Sequence, residues 1–267
     1  MAMSERVKIS VSDHIAEVVL SRPEKMNALD QSGFEQLAHA SQQIKNNSSV
    51  RVVILRAEGD HFCAGADKSF LQGAVSDNAL FRKRALDLPQ DEIANEFQKP
   101  AMGWLELDVP VVVCLQGVVY GAGMQVALAG DIRIAAPTTA MSLFEIHWGL
   151  VPDMGITQTL PKLVRADVGM DLVLSGRVVK APEALEIGLV TRVVDDPLTS
   201  AREWAKQIAA KSPDAIRQGK RLMRDCGELT RAQGLAFEAQ LQSELVGTTN
   251  QMEAAMANLE KRSAQFQ

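Results

Sequence analysis

The chain reads as an α/β protein, and three observations carry that reading. Short Val- and Ile-rich strands alternate with helical stretches, and this strand–helix–strand unit recurs along residues 1–196. The strands are uncharged in their middles, as expected for a sheet covered by helices. After Val194 the pattern turns helical and stays so, with few breakers. With 267 residues, 46% hydrophobic and 23% charged, the chain has ample material for a sizeable core.

In chain order, Lys8 to Val11 and Ile15 to Leu20 are β-rich and flank Ser12-Asp13-His14, so they predict a hairpin. Asp30 is a good N-cap for a helix with Phe34, Leu37, Ala38, Ser41 and Ile44 on one face. Asn46-Asn47-Ser48-Ser49 ends it, and Val50 to Ala57 reads as the next strand. Leu71 to Gln98 is the least regular stretch. It reads either as a solvated insertion or as a lid or pocket wall that sets chain-length preference. Glu92 to Leu107 predicts a helix, Val111 to Leu115 a strand, Ala122 to Ala129 a helix and Ile132 to Ala135 a strand. Asp195-Asp196-Pro197 and Ser212-Pro213 each open a helix, and residues 197–267 form a helical region.

Several function classes are disfavoured. A net charge of −5 argues against a broad nucleic-acid face. Arg217, Lys220, Arg221 and Arg224 share one predicted helix, but with Asp214, Asp225 and Glu228 beside them they read as a solvated face. Cys63, Cys114 and Cys226 have no metal-type spacing, and the four histidines form no ligand pair on a helix face, so no metal is expected. The polar N-terminus has neither an apolar core segment nor an Arg/Ser-rich extension, so a cytoplasmic protein is expected. Val109 to Gly130 runs 22 residues without a charge, long enough for a bilayer. Pro110, four glycines and two glutamines inside it favour a strand, a tight turn and a buried helix instead.

Chemistry can sit in three places. His61 to Asp67 and Gly117 to Gln125 are loops that follow strands and lead into helices with small residues at the turn. The first N–H groups of a helix lack intrahelical partners, and two aimed at one point make an oxyanion hole; otherwise these are tight turns packed under strands. Neither loop is a Walker loop or a G-x-G-x-x-G fingerprint. In the third place, Glu145 lies in an otherwise apolar run, so it is either salt-bridged or catalytic. Asp153 follows eight positions later, beside Pro152 and Gly155, and reads equally as a helix N-cap or as a second acid turned back toward Glu145.

Taken together these segments resemble the crotonase superfamily of enoyl-CoA hydratases and isomerases over almost the whole chain. Arg22-Pro23 followed by Asn27-Ala28-Leu29 resembles the family's RPxxxNAL segment. Phe62 to Asp67 resembles its F-C/A-A-G-A-D loop, Gly117 to Asp131 its glycine-rich stretch, and Gly149 to Asp153 its G-x-x-P-G/D turn. The resemblance implies a spiral of β-β-α units over residues 1–196 and a C-terminal helical trimerisation region over 197–267, in a homotrimer or homohexamer. It implies acyl-CoA thioester substrates, coenzyme A being part of the substrate and no other cofactor being required.

Carried over residue by residue, the resemblance makes Ala64 the first oxyanion N–H donor and Ala122 or Gly123 the second. Asn27, Ala28, Cys63, Gly65, Ala66, Asp67 and Gln125 fall at substrate-binding positions. Hydratases of the family use two glutamates. Glu145 matches the second, but the first falls at Gln125, which cannot exchange a proton. The dienoyl-CoA isomerase branch carries a Glu and, eight positions later, an Asp, as Glu145 and Asp153 do; its third acid also falls at Gln125. The leading expectation is therefore a C=C shift in enoyl- or dienoyl-CoA through an oxyanion-stabilised enolate, with Glu145 as base and Asp153 as acid. Alternatives are an enoyl-CoA hydratase, another acyl-CoA lyase, decarboxylase or hydrolase, or a non-catalytic acyl-CoA sensor or scaffold.

Overall fold

The computed structural model describes residues 5–90 and 92–267. β1 (Val7–Ser12) and β2 (Ile15–Leu20) form the expected antiparallel hairpin. Its turn residues Asp13 and His14 both take positive φ, as a tight two-residue hairpin loop of the right twist requires. α1 (Gln31–Lys45) begins at Asp30, whose carboxylate accepts from Gly33 N–H at 2.9 Å. β3 (Val52–Ala57) then returns parallel to β2.

The stretch expected to be irregular instead holds two helices, α2 (Lys68–Ser76) and α3 (Asn78–Leu86), capped by Asp67 and Asp77. Neither helix has a fully buried residue, so neither leaves an apolar stripe in the sequence. The helix expected over Glu92 to Leu107 is shorter: α4 runs Lys99–Leu105 and starts at a proline, Pro100, in its first turn.

β4 (Val111–Leu115), β5 (Val118–Tyr120), α5 (Ala122–Leu128) and β6 (Ile132–Ala135) follow in quick succession. The uncharged run is thus two strands and a short helix, and among the described residues no helix is long and apolar enough to cross a membrane. The chain continues through β7 (Ala140–Ser142), α6 (Ile156–Leu163), α7 (Ala166–Ser175), β8 (Val179–Lys180), α8 (Ala181–Glu186) and β9 (Arg192–Val193). Four helices close it: α9 (Pro197–Ala209), α10 (Pro213–Asp225), α11 (Arg231–Leu245) and α12 (Thr249–Glu260).

The strands form two sheets. The larger has the order β1-β2-β3-β4-β6-β9, parallel from β2 onward, and the smaller the order β5-β7-β8. In the large sheet, alternate residues serve two cores. Val53, Leu55, Val111, Val113 and Leu115 enter the main core with α1, α4 and α5. Val52, Ile54, Val112, Cys114 and Ile134 face the other way, against Ala201, Ala205 and Ala209 of α9. Burial on both faces explains the uncharged, fully buried β4. β2 and β6 instead carry Glu17 and Arg133 in their middles, where Glu17 pairs with Arg56 and Arg202 and Arg133 donates to backbone carbonyls. The second core also ties α9 to the body.

The basic cluster of α10 is not a solvated face. The Lys220 side chain is only 6% exposed; it pairs with Asp131 at 2.8 Å and donates to Val109 O at 3.0 Å. Arg224 donates to Glu106 O, and Arg221 lies over the Phe237 ring. These cations fasten α10 to the body and to α11.

Candidate active site

The two glycine-containing loops meet edge to edge. Cys63 N–H donates to Val118 O, and Tyr120 N–H donates to Cys63 O. The approach is close because of glycine: a Cβ on Gly123 would lie 2.6 Å from Cys63 O, and one on Gly65 would lie 2.9 Å from Tyr120 O and 3.6 Å from Ala122 N. Gly65, at φ 95°, therefore abuts the start of α5.

The contact opens a cavity of about 550 Å³. Its floor holds Ala64, Gly65, Ala66, Ala122 and Gln125, and Glu145 and Asp153 stand at its wall. Ala28 and Asp67 also line it. Lys25 and Lys68 are exposed at its edge.

Not every expected site residue reaches it. Asn27 is 1% exposed and takes no part in the lining. It sits at φ 54°, accepts from Arg22 N–H, and donates to the carbonyls of Glu58 and His61. It is a structural staple. Cys63 is fully buried against Asn27 O, with its thiol pushed up to about 12 by burial, so it is inert packing. Gly123 lies beneath the floor against Cys63, which leaves Ala122 as the residue of that pair that faces the cavity.

The two expected amide donors differ. Ala122 is the first residue of α5, so its N–H has no intrahelical partner. The Ala64 N–H already donates to Met26 O at 2.9 Å, so it can serve a ligand only by sharing. Asp67 caps α2, and the hydroxyl and amide of Ser69, with Arg22 beside them, hold its carboxyl at about 2.

Glu145 sits in a single 3₁₀ turn, Phe144–Trp148, directly after β7. Its Oε1 accepts from Gln125 Nε2 at 2.7 Å, while its Oε2 is buried with no hydrogen-bond partner. Burial is the main push raising its pKa above the ordinary carboxylate range. Its own backbone amide and Gln125 pull the other way, and the charge of Asp153 adds to the rise. Asp153 does not cap a helix: the residue before α6 is Gly155, at φ 80° and without a side-chain cap. Surrounding protein also raises its pKa, though it keeps solvent access at the pocket mouth. Among the described residues, no group of three or more His, Cys, Asp or Glu could hold a metal ion.

Two features of the site left no sequence signal. One is the tether from Gln125 Oε1 to Met154 N–H at 2.7 Å. The other is a cluster of four rings at the far end of the cavity. Phe34 stacks on Phe70 and Phe81 on Phe97, both at 4.7 Å, and the two pairs meet edge to face. Phe34 lay on the predicted face of α1, but Phe70, Phe81 and Phe97 follow no period.

A family model described as enoyl-CoA hydratase/isomerase matches residues 10–267. The chain belongs to the enoyl-CoA hydratase/isomerase family. Within that family it is 30% identical to the short-chain-enoyl-CoA hydratase of Clostridium acetobutylicum, covering 93% of this chain and 92% of that one. It is 27% identical to the (E)-benzylidenesuccinyl-CoA hydratase of Thauera aromatica, over 97% and 98% of the two chains. The crystal structure of an enoyl-CoA hydratase from Bacillus anthracis superposes with a TM-score of 0.88 at 28% identity, covering 98% of this chain and 99% of that one. The fold is thus the crotonase-type α/β fold expected from the sequence, and the chain is an enzyme of this family.

Proposed function

We propose that this enzyme shifts C=C bonds in enoyl- or dienoyl-CoA thioesters through an enolate. The observation that carries the reading is the Gln125–Glu145 pair. Where two ionisable carboxylates would be needed to activate water, one position holds a neutral amide with its donor on Glu145 and its acceptor on Met154. A carboxylate partly withdrawn from water, with a raised pKa, suits removal of a carbon-bound proton beside a thioester.

The thioester oxygen would lie against Ala122 N–H, with Ala64 N–H shared from Met26 O, and these dipoles would stabilise the developing oxyanion. Glu145 takes the C2 proton. Glu145 or Asp153 returns a proton further along the chain; Asp153, nearer the mouth, suits the longer relay of a dienoyl shift. The four phenylalanine rings support an apolar acyl tail, and Lys25 and Lys68 suit the phosphates of coenzyme A. None of these steps draws on a further cofactor. Self-association into trimers or hexamers is part of the same reading, supported by Leu235, Val246, Met252, Met256 and Leu259, which α11, α12 and the turn between them leave exposed. A cytoplasmic location completes it.

Hydration is the second reading, supported by the hydratase names of the relatives. The test is a product profile of the wild-type enzyme offered a 3-enoyl-CoA, a 3,5-dienoyl-CoA and crotonyl-CoA. Conjugated 2-enoyl or 2,4-dienoyl products, with little 3-hydroxyacyl-CoA, support the isomerase. Fast conversion of crotonyl-CoA to the 3-hydroxy product with no C=C shift in the other two would overturn it.

A further inference from the structure

Gln125 is 1% exposed in a helix whose seven residues are all buried, so both ends of its side chain must be satisfied within the protein. Both are. Its orientation is not a matter of choice. The Met154 amide can only donate, so it must meet Oε1, and the NH₂ group then faces Glu145. Turning the amide over would set Oε1 against a carboxylate oxygen and NH₂ against an N–H. One side chain therefore joins three pieces of chain: α5, the 3₁₀ turn that carries Glu145, and the turn at Asp153–Met154.

We propose that Gln125 is a positioning residue that locks Glu145 and the Asp153–Met154 turn into one arrangement and keeps Glu145 available as a carboxylate base. The proposal rests on the reading of Glu145 as the proton acceptor. Glu145 is a half-satisfied anion, because Oε2 is buried without a partner. Besides the Glu145 backbone amide, the Gln125 NH₂ is the side-chain donor that offsets the loss of water, so removing it leaves the charged form with the backbone amide as its remaining support. The other ionisable groups nearby do not substitute for it. Asp153 is negative and works against ionisation. His147, two positions on, lies tilted against the Phe144 ring with its Nε2 3.3 Å from Gly176 O. Asp171 on α7 and Arg177 just beyond it are paired with each other at 2.6 Å.

The donor is also proton-silent. A glutamate at this place could still accept from Met154 N–H, but its second oxygen would face Glu145 with no proton between them unless one carboxyl stayed protonated. Gln125 thus gives Glu145 a fixed hydrogen bond at every working pH and adds no further titrating group beside the Glu145 and Asp153 carboxyls.

The test is a carbon-13 NMR titration of the Glu145 carboxyl in the free enzyme, wild type against Gln125→Met and Gln125→Glu, which needs no turnover. The expected result is an upward move of the Glu145 midpoint by about one pH unit in Gln125→Met. In Gln125→Glu the expected result is two coupled steps, the upper one above the wild-type midpoint. If Gln125→Met does not fold, Gln125→Glu, which keeps an acceptor for Met154 N–H, decides alone. In parallel, the acid limb of kcat/KM for the C=C shift should move with the midpoint while KM stays within about threefold, a split that loss of general stability would not produce. A Glu145 midpoint unmoved in the folded variants overturns the positioning role. A moved midpoint in an enzyme that shifts no C=C bond leaves the positioning role standing and retires the isomerase reading, so the two failures are distinct.

Discussion

A methyl group placed on Gly121 would stand 3.3 Å from Glu145 Oε1. Gly121 closes β5 into α5 at φ 49° and ψ −122°, a conformation that other residues adopt only under strain. The turn that presents the Ala122 N–H and the carboxylate that would take the substrate's proton therefore lie side by side, and a side chain on Gly121 would crowd that carboxylate out of place by a few tenths of an ångström.

Gly121→Ala should lower kcat by about 10²-fold, the scale on which small misplacements of reacting groups act. Gly247→Ala is the control. Gly247 also has positive φ, at 82°, but nothing lies within 4 Å of its would-be Cβ, so it adds backbone strain without touching the site. Steady-state kinetics and melting temperatures on both variants separate the effects: both should lose stability, and only Gly121→Ala should lose turnover.

Much of this arrangement was legible in the sequence, for identifiable reasons. The hairpin, β4, β6 and the helix starts at Asp30, Asp196 and Ser212 were legible because strand runs and N-caps are local signals. Glu145 stood out because a carboxylate in an apolar run demands an explanation. α2 and α3 were not legible, because helices that bury no full face carry no period. The engagement of Ala64 by Met26 O and the burial of Asn27 and Cys63 depend on how two distant loops meet, which spacing along the chain does not encode.

Glu145→Gln should make the protein more stable at neutral and alkaline pH. Burial raises the folded-state pKa of Glu145 above its unfolded value. Below the unfolded pKa the group is protonated in both states and costs nothing. As pH rises through the folded pKa, the folded state must carry a charge that the unfolded state carries more easily, and stability is lost. The melting-temperature gain of the variant over wild type should therefore be smallest near pH 4 and grow to a plateau above the folded pKa. A gain independent of pH would show that Glu145 is not desolvated.

Asp153→Asn should separate the two isomerase chemistries. A 3,5-dienoyl shift needs a proton delivered far from C2, so its rate should fall by about 10²-fold or more. A 3-to-2 enoyl shift can run on Glu145 alone and should change by only a few-fold. Rates with both substrates on the same preparation check this. If neither moves, Asp153 takes no part in proton transfer.

Phe81→Ala should move substrate preference toward longer or bulkier acyl groups. Phe81 stacks on Phe97 at 4.7 Å at the end of the cavity and is only partly buried, so truncating it opens space at smaller cost than cutting the fully buried Phe97 would. A series of acyl-CoA substrates of increasing length should show the kcat/KM optimum shifted upward. An unchanged optimum with uniformly lower rates would place the chain-length limit elsewhere.

In the proposed reaction Glu145 removes the proton beside the thioester. The most direct measurement is deuterium incorporation at C2 of a 3-enoyl-CoA in D₂O, by wild type and Glu145→Gln, with calorimetric binding of the same ligand. Proton removal by Glu145 requires binding within a few-fold of wild type, and exchange and turnover both lower by about 10²–10⁴-fold in the variant. Exchange at the wild-type rate in a variant that lacks this carboxylate would contradict it.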